Sequence, residues 1–318
     1  MKVGMQVFST TVITTSSRHQ RSVADGMARS GGATRRLLQA VCLCLGMVLS
    51  HAVAGEAADT VPLFTNLGTL HHPITTTSER AQQYFDQGLR LVYAFNHEEA
   101  IRAFEEAARL DPTAAMAYWG IALASGPNIN APMAKGDERR AWEALLKAKA
   151  QSSHVSPAEQ RFIEALGKRY SAKGGSRTAL DKAYANAMRT VWQQSSNDAD
   201  AGTLFAEALM DLRPWDFWTA DGRPQPGTEE IVSTLETVLS RVPDHPGACH
   251  YYIHAVEASS KPERALDCAD RLPALAPGAG HLVHMPAHIY IRLGKYQDRK
   301  STRLNSSHTD ISRMPSSA

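Results

Sequence analysis

The chain has 318 residues, 43% of them hydrophobic and 21% charged, with a formal net charge of +2. That is ample apolar material for a core, and too even a charge balance for a strongly basic nucleic-acid surface. After residue 80, Ala, Leu, Glu, Arg and Lys dominate and β-branched runs are sparse, which favours helix.

Residues 1–54 read as an extension and leader rather than as part of the fold. Residues 1–26 are Ser/Thr-rich without an apolar period, and Met27 is an alternative start. Arg29, Arg35 and Arg36 then precede an apolar run over 37–49, and Ala52-Val53-Ala54 gives a small-x-small exit. This is the layout of a secretory signal peptide, and the apolar run is short for a membrane span. Thr34-Arg35-Arg36 hints at twin-arginine export, although Gln39 stands where an apolar residue is usual. The expectation is a periplasmic or secreted protein with no membrane span after cleavage. Cys42 and Cys44 leave with the leader, and Cys249 and Cys268 remain. Export permits a bridge between them, while two small buried thiols are the plainer expectation.

Residues 55–79 form a polar lead-in, where the pair His71-His72 before Pro73 is expected to be solvated loop. Helix pairs follow. The first joins 79–93 to 97–110 and is closed by Pro112, which cannot continue a helix. Glu98, Glu99, Glu105 and Glu106 with Arg102 and Arg109 predict a solvated face with i, i+4 ion pairs. A second pair opens at Ala115, breaks at Gly126-Pro127-Asn128 and resumes near Asp137. Asn128 is expected to satisfy turn backbone, with a place at a groove mouth as the alternative. Pro157–Tyr170 with Thr178–Gln194, and Asp200–Leu212 with Thr228–Arg241, complete the middle. Between the last two lie Trp215, Phe217 and Trp218, too bulky to stay fully wet. They either pack over a neighbouring pair or form a lid.

Pro246 to Tyr290 carries five of the 13 histidines. His250, His254 and Glu257 are spaced i, i+4, i+7; His281, His284 and His288 are spaced i, i+3, i+7. Each set falls on one helical face. The sets are also in register, since His250 to His284, His254 to His288 and Pro243 to Pro277 are each 34 residues apart. Pro286 should bend the second helix.

A 34-residue period with small and large residues at fixed places resembles the tetratricopeptide repeat family. Tyr84, Gly88, Leu91, Ala100, Phe104, Ala107 and Pro112 carry the likeness in residues 81–114. Cys249, Tyr252, Val256, Ala265, Ala269, Leu272 and Pro277 carry it in residues 246–279. The resemblance implies an all-α, right-handed solenoid of helix–turn–helix repeats over residues 80–298, with about five complete pairs and a truncated sixth. It also implies a concave groove for a protein or peptide partner, lined at the second, fifth and ninth places of each repeat. The histidines above fall on those places.

Imidazoles with a nearby carboxylate suit Zn, Cu, Fe or Ni, so His250, His254, Glu257, His281, His284 and His288 form the candidate metal set. A polar groove for a peptide and hydrogen-bonded structural histidines are the competing accounts. The zinc-protease motif HExxH is missing, because Tyr251 follows His250. There is no nucleophile motif, Gly-rich phosphate loop or dinucleotide fingerprint. An exported binding scaffold is therefore the leading expectation. A metal-dependent enzyme using the same histidines and a purely structural adaptor are the alternatives.

After Asp298 the repeat pattern stops: Arg299 and Arg303 stand where small and apolar residues are due. Residues 299–318 resemble a tail found on many unrelated predicted proteins whose reading frame runs into sequencing-adaptor DNA. The expectation is an unstructured, non-native tail, which leaves His308 out of any site.

Overall fold

The structure is a computed structural model that describes residues 61–295. The expected leader and the tail lie outside those residues. Among the described residues every regular element is helical and there is no strand. Two isolated bridges, Asn128 with Ala131 and Trp218 with Pro224, only pin turns. No helix among them is long and apolar enough to cross a membrane.

Five of the described α-helices begin where a side chain takes up a free N–H group of the first turn. Ser78 accepts from Ala81 to open α1 (Glu79–Tyr93), which turns back through Asn96 into α2 (His97–Leu110). Then come α3 (Ala115–Ala124) and α4 (Asp137–Gln151). A capping box of Ser156 and Glu159 starts α5 (Pro157–Leu166), and Ser176 caps α6 (Arg177–Gln194). Asp198 caps α7 (Ala199–Met210), which precedes α8 (Thr228–Arg241). Last come α9 (Pro246–Val256), α10 (Leu266–Leu275), α11 (Gly280–His284) and α12 (Pro286–Arg292). Pro286 splits the expected last helix into α11 and α12 instead of merely bending it.

Consecutive helices pack on one another. Small residues let them approach. A Cβ at Gly88 on α1 or at Gly120 on α3 would stand 2.5 Å from the Phe104 ring of α2, so that ring is clasped between two glycines. The helix expected over Pro157–Tyr170 stops at Leu166, because Arg169 and Tyr170 turn inward. Arg169 is buried and pairs with Asp181 and Asp211, and the Tyr170 hydroxyl donates to the Ala122 carbonyl at 2.6 Å. On the α2 surface, Arg102 pairs with Glu99 and Arg109 with Glu106, each spaced i, i+3.

Stacked repeats touch only their neighbours. Here α9 also meets α1 and α7, far away in sequence. Gly247 permits it: a Cβ there would lie 2.5 Å from the Tyr93 ring at the end of α1. The lead-in reinforces the closure. The Tyr84 hydroxyl donates to the Val61 carbonyl at 2.7 Å, and Gly278 N–H donates to the Asn66 carbonyl at 2.7 Å. Cys249 on α9 and Cys268 on α10 are joined as a disulfide, with Cα atoms 5.0 Å apart. Two separate buried thiols were the plainer expectation; antiparallel packing of α9 and α10 makes the bridge instead.

Candidate metal centre

His250 and His254 lie one turn apart on the wholly buried α9. Their tautomers follow from what their Nδ1 atoms face. His250 Nδ1 is 2.7 Å from the Tyr93 carbonyl oxygen, which can only accept, so Nδ1 carries the proton. His254 Nδ1 is 3.0 Å from Glu257 Oε1 and donates likewise to the carboxylate. Both Nε2 atoms therefore present lone pairs. Buried imidazoles held at one nitrogen by a carbonyl or carboxylate, with the other nitrogen free, have the arrangement of metal-ligating histidines.

The third imidazole comes from α11. His281 Nε2 lies 3.0 Å from His250 Nε2, and since the latter is an acceptor, His281 donates to it. Nε2 of His254 is buried and without a hydrogen-bond partner. One ligand atom from each of His250, His254 and His281 lies within 4.8 Å of the others. An ion between them would require the His281 proton to leave Nε2, which the other tautomer of a neutral imidazole allows.

The surroundings keep these rings neutral. Burial pushes His250 well below the usual imidazole range and lowers His254. Burial and the neighbouring histidines bring His281 down to about 3. Burial works against the Glu257 carboxylate, but hydrogen bonds from His254 and His288 outweigh it and hold the group down to about 2. The site thus combines neutral nitrogen ligands with one fixed carboxylate beside them.

An aromatic shell covers the trio. The Phe95 ring centre is 4.6 Å from that of His250 and 5.4 Å from that of His281, and Trp215 meets His254 edge-on at 4.9 Å. Phe95 (φ 55°) and Trp215 (φ 63°) are the two non-glycine residues with positive φ among the described residues. Such backbone costs roughly 1–2 kcal/mol per residue and clusters at functional sites. Both strained residues place an aromatic ring on the same histidines.

The six candidate ligands do not share one point. His288 stands outside the trio: its Nδ1 donates to Glu257 Oε2 at 2.8 Å, and its ring lies 5.6 Å from that of His254. His284 is one step further, 5.1 Å from His288. Glu257 therefore links His254 to His288 through its two oxygens. In the aromatic insertion, Trp215 covers the site but is half exposed, while Phe217 is buried. Trp218 donates from its indole to the Ala255 carbonyl at 2.7 Å. Asn128 accepts from Asn130 and Ala131 N–H in its own turn, and its Nδ2 lies 3.4 Å from His97 Nδ1.

Sequence reasoning missed Tyr93 and Phe95, which carry no motif and reach the site only through the α1–α9 contact. It also misjudged His72, expected in solvated loop. Its Nδ1 donates to Asp200 Oδ2 at 2.8 Å, and its side chain is only 13% exposed. His72, Asp198 and Asp200 have metal-compatible spacing. Their chemistry fits an internal ion pair better. His245 accepts from Ala248 N–H at Nδ1 and so offers Nε2–H to Asp200 Oδ1 at 3.1 Å, while the Tyr93 hydroxyl donates to the same oxygen at 2.6 Å. Asp198 is engaged as the α7 cap. Both Asp200 oxygens are thus engaged by donors, and His72, raised to about 9, is protonated near neutral pH and has no lone pair to offer.

Compared with known proteins, the chain matches no protein-family model and no curated protein, so the reading of this centre stands on its own geometry.

Proposed function

We infer that this chain is a metal-binding helical protein in which His250, His254 and His281 hold one transition-metal ion. The supporting observations are the buried His254 Nε2, which has no hydrogen-bond partner, and the grouping of one ligand atom from its ring within 4.8 Å of one from each of two other neutral imidazoles. Three imidazoles with a fourth position open suit Zn, Cu, Fe or Ni. The tetratricopeptide-like pairing of helices is the scaffold in this reading, and the leader and the Cys249–Cys268 bridge fit an exported protein in an oxidising compartment.

The open fourth position also supports a second reading, a metal-dependent enzyme, because catalytic zinc sites keep such a position. Turnover that requires added metal would separate an enzyme from a binding scaffold. A protein or peptide partner is part of the scaffold reading. The half-exposed Trp215 beside the centre offers it apolar surface.

The test is a calorimetric titration of the metal-free full chain with Zn. One tight equivalent is expected, lost in His254→Ala and His281→Ala while far-UV helicity stays unchanged. Equal binding by wild type and both variants would sink the assignment.

A further inference from the structure

Two of the trio lie deep, His250 fully buried and His254 2% exposed, and only His281 is partly exposed. A buried metal site needs a route in. Beyond the trio, His284 and His288 are also partly exposed. Outward from the trio, ring centres follow one another at short steps. His250 to His254 is 4.9 Å, His254 to His288 is 5.6 Å and His288 to His284 is 5.1 Å. One carboxylate, Glu257, spans the step between the deep and shallow rings, with an oxygen on each.

The donor chemistry is also suitable at the outer end. His288 gives its Nδ1 proton to Glu257, which fixes a lone pair on Nε2, as at His254. His284 and His288 are spaced i, i+4, a spacing that lets two imidazoles on one helical face share an ion. The break at Pro286 falls between them, yet their rings remain adjacent.

We propose that His284 and His288 form a second, shallow station for a divalent transition metal, and that an ion captured there passes to the trio by ligand exchange across Glu257. Nothing is oxidised or reduced: imidazole nitrogens and waters are exchanged one at a time on an ion of constant charge, and the His281 Nε2 proton moves to Nδ1 through solvent as the trio fills. The delivery step rests on the trio being the metal site; capture at the outer pair does not.

The experiment uses the metal-free full chain and Co(II) alone, whose visible band is strong in four-coordinate nitrogen sites and weak in hydrated ones. Wild type, His284→Gln with His288→Gln, and His254→Ala with His281→Ala are compared by equilibrium titration and stopped-flow absorbance. Far-UV circular dichroism checks the fold of each. Wild type should take up two equivalents, one tight with a strong band and one weaker. The outer variant should keep the tight equivalent, lose the weaker one, and fill the deep site about tenfold more slowly. His284→Gln alone, which leaves both Glu257 contacts in place, should slow filling in the same direction. The inner variant should retain the weaker equivalent.

An outer variant that fills at the wild-type rate would overturn delivery, and an inner variant that binds no Co(II) would overturn the station. A wild type without the strong band would instead sink the trio reading and delivery with it. Capture would then be judged on the weaker equivalent, which must be present in the inner variant and absent from the outer one.

Discussion

His250 Nδ1–H donates to the carbonyl oxygen of Tyr93 over 2.7 Å, across 157 residues of chain. This one bond joins the end of α1 to the middle of α9. It also decides which nitrogen of His250 faces the other histidines. The global closure of the helices and the local chemistry of the site therefore depend on the same contact.

Gly247 is where that contact can be broken without touching a ligand. Gly247→Ala would put a methyl 2.5 Å from the Tyr93 ring, and the ring would have to move. Crowding of this kind costs about 1–3 kcal/mol. Displacing the carbonyl that orients His250 should also weaken metal binding by about tenfold or more. Urea unfolding and a chelator-competition titration measure the two effects; a variant with wild-type metal affinity would show that Tyr93 does not orient His250.

Glu257→Gln keeps the side chain's shape and removes its charge. A neutral amide leaves one oxygen to accept where two now serve His254 and His288. The expected outcome is a loss of metal affinity of about tenfold to a hundredfold with unchanged helicity. Chelator competition followed beside circular dichroism checks both halves.

How far the site could be read from sequence divides along these contacts. The i, i+4 spacing of His250 and His254 and the 34-residue register placed both sets of histidines on shared faces. Register would pair His250 with His284, yet the ring that joins His250 is His281, three residues earlier. Repeat arithmetic fixes equivalent places, not the rotation of one helix pair against the next. Helix bounds such as 79–93 and 97–110 were legible from the apolar pattern and the closing Pro112. Phe95 was not, because a non-glycine residue gives no sign that it will take positive φ. His72 and Asp200 lie 128 residues apart, and no local pattern announces their pairing.

That pairing predicts the pH dependence of the metal-free chain. Burial opposes the His72 charge, but the hydrogen bond and negative charge of Asp200 outweigh it and carry its pKa up to about 9 from an ordinary 6.5. A raised histidine contributes stability that is complete below about 6.5 and lost as pH rises through about 9, no more than about 3 kcal/mol here. His97 is the opposite case: desolvation and the nearby Arg169 bring it down to about 4. Its contribution is complete above about 6.5 and lost as pH falls through about 4. Thermal unfolding with chelator present should give a maximum near pH 6.5. His72→Gln should flatten the alkaline limb and leave the acid limb in place.

The Cys249–Cys268 bridge closes a loop with a sequence separation of 19 and ties the ligand-bearing α9 to α10. Removing it by Cys249→Ser with Cys268→Ser should cost about 3 kcal/mol, mostly through the unfolded chain. Denaturant unfolding of the double variant, compared with wild type with and without reductant, measures it. A reductant effect that persists in the double variant would mean that the bridge is not its source.

The central claim is that three imidazoles share one ion, and X-ray absorption at the zinc edge of the loaded full chain tests it most directly. The prediction, at one equivalent of zinc, is about three imidazole nitrogens at roughly 2.0–2.1 Å with no sulfur, and loss of that shell in His281→Ala. A first shell of oxygens only, or a nitrogen count unchanged by His281→Ala, would contradict it.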